Sequence, residues 1–467
     1  MKYILNPNIA LRSWRLVPYA YYIRHRRDAL GLKQEEFELL KKCDGVCELS
    51  VEEEAALRPL AERGFALPAK GGERLSDWQK HMVCDNRYFP SLSWMITGKC
   101  NFNCLHCFNA ADNAPLMSVF SWDEAQKLIE EAQRCGINAF TITGGEPMLH
   151  KNFFGIVESI YAHGMYVREL NTNGHFITPE SLARLKAIDG DIRIKISFDG
   201  IGHHDWLRNR KGAEQEALQA IRCSIEAGFF TQVQTNVHRG NLDTLAETAD
   251  TMDAMGVEHM RIIRTTEAPR WLQNAGNATL GIAEYYDLMA EFSHAYAQKP
   301  HRMSVDIWQY ATLYPAEEAY RARPVEYAEG EFRASLPVCR GNRGMVSVDA
   351  DGELVPCHQL SGYYKGHGMR IGNVKENGLQ PFLQSGAYLG EVCATLGTLA
   401  QRNEKCASCK YFRYCAGGCR AIALAFTGDK MGEDPAKCIF FKQGYYENLV
   451  RAMEGWRNLA PVACEKE

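Results

Sequence analysis

The fold class predicted for this chain is α/β: a partial (β/α)6 TIM-type barrel, with a winged-helix-like module before it and a cysteine-rich domain after it. Three observations predict it. Six strand candidates recur in series between residues 92 and 264, with helical segments between them. The first 85 residues carry a strand-and-helix pattern of their own. Ten of the 17 cysteines fall in two clusters, one just after the first of the six strands and one from residue 339 onward. A chain of 467 residues is also too long for one ordinary core.

Bulk composition narrows the function. The chain is 46% hydrophobic and 24% charged, with a formal net charge of −4, so nothing attracts a nucleic acid. No apolar run approaches the roughly 20 residues a bilayer span needs. The opening MKYILNPNIALRSW carries Asn, Pro and Arg where a signal peptide needs an apolar block. These features imply a cytoplasmic protein with no membrane partner. Thiols stay reduced there, and clustered cysteines then point to metal ligation rather than disulfides.

Taken in order, residues 14–24 (WRLVPYAYYIR) read as a strand, and residues 33–43 as a helix with Phe37, Leu39 and Leu40 on one face. Ser50 and Glu53 form a capping box before a second helix, and GFALPA returns to extended chain. The pattern is that of a winged helix, but Glu35, Glu36, Glu38, Glu52, Glu53 and Glu54 make its helices acidic and disfavour DNA. A sheet edge in such a module can dock an extended peptide by strand addition. Cys43 and Cys47 read as core or surface thiols.

The six strand candidates are residues 92–97, 138–143, 166–171, 191–197, 231–237 and 258–264. Functional groups of such barrels gather at the C-terminal strand ends. After the first strand comes CNFNCLHC, with Cys100, Cys104 and Cys107. Three thiolates this close can hold three irons of a [4Fe–4S] cube and leave the fourth iron open. After the second come Gly144, Gly145, Glu146 and Pro147, where glycines let the backbone approach a ligand. Asn171 follows the third strand. Ser197 and Asp199, at the end of the fourth, suit ribose hydroxyls, and Arg208 suits a carboxylate.

Together these loops resemble the radical S-adenosylmethionine (radical SAM) superfamily over about residues 90–265. The resemblance implies that S-adenosylmethionine chelates the open iron and is cleaved by an electron to a 5′-deoxyadenosyl radical, making the chain an oxidoreductase. It implies that Gly144, Gly145 and Glu146 line the methionine end, mainly through backbone, and that Asn171 joins the cofactor contacts. Ser197 and Asp199 would meet the ribose, Arg208 the carboxylate and His106 the adenine. A flavodoxin- or ferredoxin-type donor would supply the electron.

The bridge between the domains, residues 301–338, has mixed signals and receives no assignment. Beyond it, GMVSVDADGELVPC reads as a hairpin around Asp351 and Gly352. Seven cysteines accompany it: Cys339, Cys357, Cys406, Cys409, Cys415, Cys419 and Cys438. One or two zinc sites are the simpler reading of such a set. The order resembles the SPASM/twitch domain of radical SAM enzymes, which implies two auxiliary [4Fe–4S] clusters, for three in all. Cys406, Cys409, Cys415 and Cys438 would bind one. Cys339, Cys357 and Cys419 would bind the other, one ligand short. Cys393, a non-cysteine group or a substrate thiolate are the options for that place. Cys84, Cys135, Cys223 and Cys464 read as ordinary thiols.

The domains expected are residues 1–85, 90–300, 301–338 and 339–467. The first resembles a PqqD-like precursor-recognition element. The whole then resembles a maturase of ribosomally made peptides that installs a cross-link in a precursor peptide, first of all a cysteine thioether of the sactipeptide or ranthipeptide type. A C–C or C–O cross-linking maturase and an anaerobic sulfatase-maturating enzyme are the alternatives. An iron–sulfur redox sensor is disfavoured by the complete GGEP loop.

Overall fold

The computed structural model describes residues 1–107, 117–265, 267–315, 320–324 and 330–456. The N-terminal module begins with β1 (Lys2–Leu5), β2 (Ile9–Trp14) and β3 (Val17–Ile23). The single strand expected over residues 14–24 is β3 plus the last residue of β2. Trp14 lies opposite Val17 in the antiparallel pair, so Arg15 and Leu16 form the turn. No Gly, Asn or Asp marks that turn, and its arms are equally apolar, so the sequence reads as one continuous strand.

Then come β4 (Leu30–Gly31), α1 (Gln34–Lys41), β5 (Asp44–Glu48), α2 (Val51–Glu62), β6 (Ala66–Pro68) and β7 (Met82–Cys84). The capping box is present: the Ser50 hydroxyl accepts from the Glu53 N–H, and the Glu53 carboxylate accepts from the Ser50 N–H. The strands form two sheets, β5-β1-β6 and β4-β3-β2-β7. Leu5, Leu11, Phe37, Leu40, Leu57, Leu60 and Phe65 give the module a core of its own, and Cys43 belongs to it. The linker strand β7 runs parallel to β2 and closes that side of the sheet. Buried Arg12 holds the linker down, donating to the carbonyls of Trp78 at 2.8 Å and Lys80 at 3.1 Å. The module rests on the barrel through Trp14 Nε1–H to Cys135 O (3.1 Å) and Tyr22 O–H to Gly136 O (3.0 Å). Gly136 has φ +72°, and a Cβ there would lie 2.7 Å from Trp14. Cys84, Cys135 and Cys223 are buried thiols, and Cys464 lies outside the described residues.

The barrel strands are β8 (Ser91–Met95), β9 (Ala139–Thr143), β10 (Tyr166–Thr172), β11 (Arg193–Ser197), β12 (Thr231–Val237) and β13 (His259–Arg264). Each keeps within two residues of its expected limits. Two further strands join them in parallel. β14 (Ser304–Ile307), from the segment the sequence left unassigned, pairs with β13. It leads into the antiparallel strands β15 (Ala311–Tyr314) and β16 (Arg321–Arg323). At the other side β17 (Met345–Val348) pairs with β8, and β18 (Leu354–Val355) folds back on it as the expected hairpin.

The helices between are α3 (Trp122–Arg134), α4 (Phe153–Ala162), α5 (Pro179–Ile188), α6 (His204–Arg208), α7 (Ala213–Glu226), α8 (Leu245–Met255), α9 (Pro269–Asn274) and α10 (Ile282–Ala297). Successive strand side chains alternate between faces. Leu92, Trp94, Phe140, Ile142, Ile194, Ile196, Val233, Met260, Ile262 and Val305 pack with the helices in one large core. The other face carries Ser93, Thr141, Lys195, Ser197, Gln234, Arg261 and Asp306. A parallel sheet covered on both faces would be apolar throughout, so this polar face is the barrel interior.

Candidate functional site

β8 delivers the cysteine loop to the C-terminal rim. The loop is held from several sides. Leu105 N–H donates to Leu207 O at 2.9 Å, tying it to α6. Asn173 Nδ2 reaches Asn101 Oδ1 at 2.9 Å and lies 3.9 Å from Cys100 Sγ. The buried Phe102 ring, between Cys100 and Cys104, is covered by the Arg210 guanidinium at 4.5 Å. Arg210 is fixed in turn by Glu216 at 2.7 Å, which also binds His175 at 2.7 Å. Burial pushes the Cys100 thiol up to about 12, and the neighbouring thiols add to this. Burial likewise raises Cys104, against the pull of Arg208. Only a strong local positive charge makes such thiols into thiolates, as an iron centre does.

The GGEP segment follows β9. Gly145 N–H donates to Thr97 O at 2.7 Å, and Glu146 N–H to Lys99 O at 2.8 Å. A Cβ at Gly144 would lie 2.4 Å from Thr97 O, and one at Gly145 would lie 2.3 Å from Lys99 O. The close approach that requires glycine is thus to the backbone leading into the cysteine loop. Glu146 is fully buried and accepts from Met148 N–H (3.1 Å), the Thr172 hydroxyl (2.9 Å) and Asn173 N–H (2.8 Å). Its side chain therefore joins the ends of β9 and β10.

Burial pushes the Glu146 carboxyl up to about 7 in spite of these donors. Between about pH 4.5 and pH 7 the folded chain then binds a proton that the unfolded chain releases. Stability is expected to fall as pH rises through that window, by up to about 3 kcal/mol. Glu146→Gln removes this slope. It costs about 1 kcal/mol because its amide nitrogen cannot accept from Asn173. Urea midpoints of both proteins across the window check this, and parallel slopes would refute it.

Asp199 and Arg208 are paired with each other, where the sequence assigned them to a ribose and to a carboxylate. Arg208 Nε donates to Asp199 Oδ2 at 2.6 Å, and both side chains are buried. Asp199 also accepts from Asn236 N–H at 3.0 Å and from Asn236 Nδ2 at 3.2 Å. Burial alone would raise its carboxyl, but Arg208 and then His204 hold it well below the usual carboxylate range. Arg208 Nη1 lies 3.8 Å from Cys104 Sγ, so this pair braces the cysteine loop. Ser197 remains at the end of β11 on the interior face. Asn171 Oδ1 and His106 Nδ1 are buried without a hydrogen-bond partner among the described residues.

His204, Asn236 and Asn241 are site residues that the sequence reading missed. Asp199 N–H donates to His204 Nδ1 at 2.9 Å, and Asn241 Nδ2 donates to Asp199 O at 2.6 Å. For Asn236 and Asn241 the signal was TNVHRGN, the end of the fifth strand and the loop after it, a position like those of the four marked loops; His204 stands in HHDWLR, four residues before the marked Arg208.

The C-terminal cysteines fall into two groups. Burial raises the Cys357 thiol, with the charges of Cys419 and Cys339 adding to it. Burial raises Cys406 to about 11, with Cys438 and Cys409 contributing. Cys415 is raised to about 12 by burial and feels Cys406 and Cys409. Cys339, Cys357 and Cys419 are thus near enough to feel one another, and so are Cys406, Cys409, Cys415 and Cys438. Asp434, which the sequence reading also missed, spans both groups: it accepts from Cys419 N–H at 2.7 Å and caps the helix Pro435–Lys442 that bears Cys438. Cys393 is half-buried against the main core, and its N–H donates to Leu389 O at 2.9 Å.

Two family models match the chain. One, described as the radical SAM superfamily, covers residues 94–253, and the other, an SPASM iron–sulfur cluster-binding domain, covers residues 339–410. The AdoMet-dependent heme synthase of Methanosarcina barkeri is 27% identical over 352 residues, 75% of this chain and 96% of the relative. The PqqA peptide cyclase of Bradyrhizobium diazoefficiens is 23% identical over 383 residues, 80% of this chain and 94% of the relative. Among solved structures, Streptococcus suis SuiB bound to precursor peptide SuiA superposes with a TM-score of 0.65 at 13% identity. That match covers 93% of this chain and 99% of SuiB.

Proposed function

This chain is a radical SAM enzyme with an SPASM iron–sulfur domain, and we propose that it modifies a ribosomally made precursor peptide. The observation that carries this reading is the N-terminal module, which has its own core and a sheet that ends at β4. A leader peptide can add there as a further strand, with main-chain hydrogen bonds for affinity. The core peptide then enters the barrel. In this reading residues 1–85 are the PqqD-like recognition domain, residues 90–300 the radical core and residues 339–467 the auxiliary domain. No helix among the described residues is long and apolar enough to cross a membrane. The proposed place of action is the cytoplasm, with a flavodoxin- or ferredoxin-type protein as electron donor.

Cys100, Cys104 and Cys107 would hold the cluster that binds S-adenosylmethionine, and the rim supplies the rest of its site. Asn171 and His106 offer unpaired buried atoms there, Ser197 a hydroxyl, and Gly144 to Glu146 a fixed backbone. Bound there, S-adenosylmethionine would supply on reductive cleavage a 5′-deoxyadenosyl radical able to take a hydrogen atom from the substrate. The residues around it orient the cofactor and keep water out. Arg208, locked to Asp199, contributes fixed positive charge beside Cys104.

For the product we favour a cysteine thioether. The three-thiol group Cys339, Cys357 and Cys419 supports this, since a cluster held there has a place for a substrate thiolate. A C–C or C–O cross-link is the nearest variant. A second reading, chemistry on a tetrapyrrole side chain, is favoured by the relatives named heme synthase.

Mass spectrometry of a candidate precursor after turnover decides between them. The peptide reading requires the loss of two hydrogens and protection of one cysteine from alkylation. Deleting residues 1–85 is expected to weaken precursor binding by about 100-fold, as loss of a whole docking surface does. Unchanged binding would remove the leader-recognition proposal.

A further inference from the structure

We propose that Arg261 binds a carboxylate of the substrate inside the barrel, a step that rests on the placement of S-adenosylmethionine at the strand ends given above. Strand register defines the location. Ser197, Gln234, Arg261 and Asp306 are successive partners across β11, β12, β13 and β14. They form one row on the polar interior face. Arg261 stands two strands from Ser197, about 10 Å at the usual strand spacing. A group held by Arg261 therefore lies close to the cofactor's ribose end.

The charges on this face are unequally satisfied. Lys195 and Glu169 form a closed pair at 2.8 Å. Asp306 is already engaged by the Thr312 hydroxyl at 3.1 Å. Burial lowers His259 below the usual imidazole range, and its ring bonds to the Ser304 hydroxyl at 2.8 Å. Arg261 differs. Its Nε is buried and has no hydrogen-bond partner among the described residues. Its nearest anion, Asp306 Oδ2, stands off at 3.4 Å, and a third of its side chain, 33%, is exposed. A guanidinium offers five donors in a planar fork that matches a carboxylate, and most of this fork faces the interior unspent. An acidic side chain or C-terminus of a peptide and a propionate of a tetrapyrrole share this chemistry.

Saturation-transfer NMR on the reconstituted full chain, with S-adenosylmethionine present, tests the assignment using propionate and propionamide as probes. Propionate is expected to bind and propionamide not. Arg261→Gln is expected to lose the propionate signal, and Arg261→Lys to keep it with about tenfold weaker affinity, because a point charge replaces the fork. Should Arg261→Gln not fold, the lysine variant and the contrast between probes still decide. No propionate signal, equal signals from both probes, or an unchanged Arg261→Gln would overturn the proposal. Displacement of propionate by an acetyl-glutamyl amide or by coproporphyrin identifies the source of the carboxylate, and displacement by neither counts against it. A preparation that makes no 5′-deoxyadenosine when reduced with S-adenosylmethionine alone refutes the cofactor reading instead.

Discussion

Cys104→Ser is expected to lower bound iron in reconstituted protein from about 12 to about 8 atoms per chain and to abolish 5′-deoxyadenosine formation. The loop offers three thiols, so losing one leaves two ligands for a cube that already has an open iron. Cys104 is also the thiol beside Arg208, at 3.8 Å, so its loss removes that contact from the buried guanidinium. Cys438→Ser gives the contrast. It breaks the four-thiol group at the far end and should lower iron by a similar amount, while S-adenosylmethionine is still cleaved without substrate. Iron analysis and chromatography of the nucleoside product measure both. Unchanged iron and turnover in Cys104→Ser would contradict the assignment of that loop.

Asp199→Asn is expected to destabilise the barrel by about 3–5 kcal/mol, although it changes few atoms. The carboxylate accepts from Arg208 and Asn236 with no exposed surface, and the amide leaves a buried guanidinium uncompensated. The pH dependence has a fixed sign. The folded carboxyl titrates well below its unfolded value, so its contribution is complete above the ordinary carboxylate range and is lost as pH falls toward the folded value. The wild type should therefore weaken in acid along a limb that the variant lacks. Urea midpoints near neutral pH and in acid test this. A variant as stable as wild type at neutral pH would show that the pair is not a brace.

The strand series was legible because parallel strands under helices need apolar residues at fixed spacing, and a period of two survives in sequence. The rim loops were legible because their residue types are rare at strand ends. Partners were not. Asp199 and Arg208 each suit a ligand in isolation, and only the turn of α6 brings them together. Gly144 and Gly145 announce a close approach without saying to what. β14 was hidden because SVDI is four residues long and stands in a segment of mixed polarity. The turn at Arg15 and Leu16 was hidden because neither residue type marks one. Asp434 precedes Pro435 as a helix cap, and its second role depends on Cys419 arriving from another segment.

β17 has a consequence for how the chain is made. It pairs with β8, so Met345 meets Ser91 across more than half the length of the protein. The ribosome releases β8 and the cysteine loop long before the strand that covers their flank exists. Until then β8 is an open edge next to three reactive thiols, and such edges invite pairing with other chains. Long-range closure of this kind is slow, because its entropy is spent before any contact forms. Iron delivered during synthesis would meet an unfinished rim. Cluster insertion is thus best timed after the auxiliary domain has emerged, and a gene shortened near residue 338 would yield aggregates rather than a smaller enzyme.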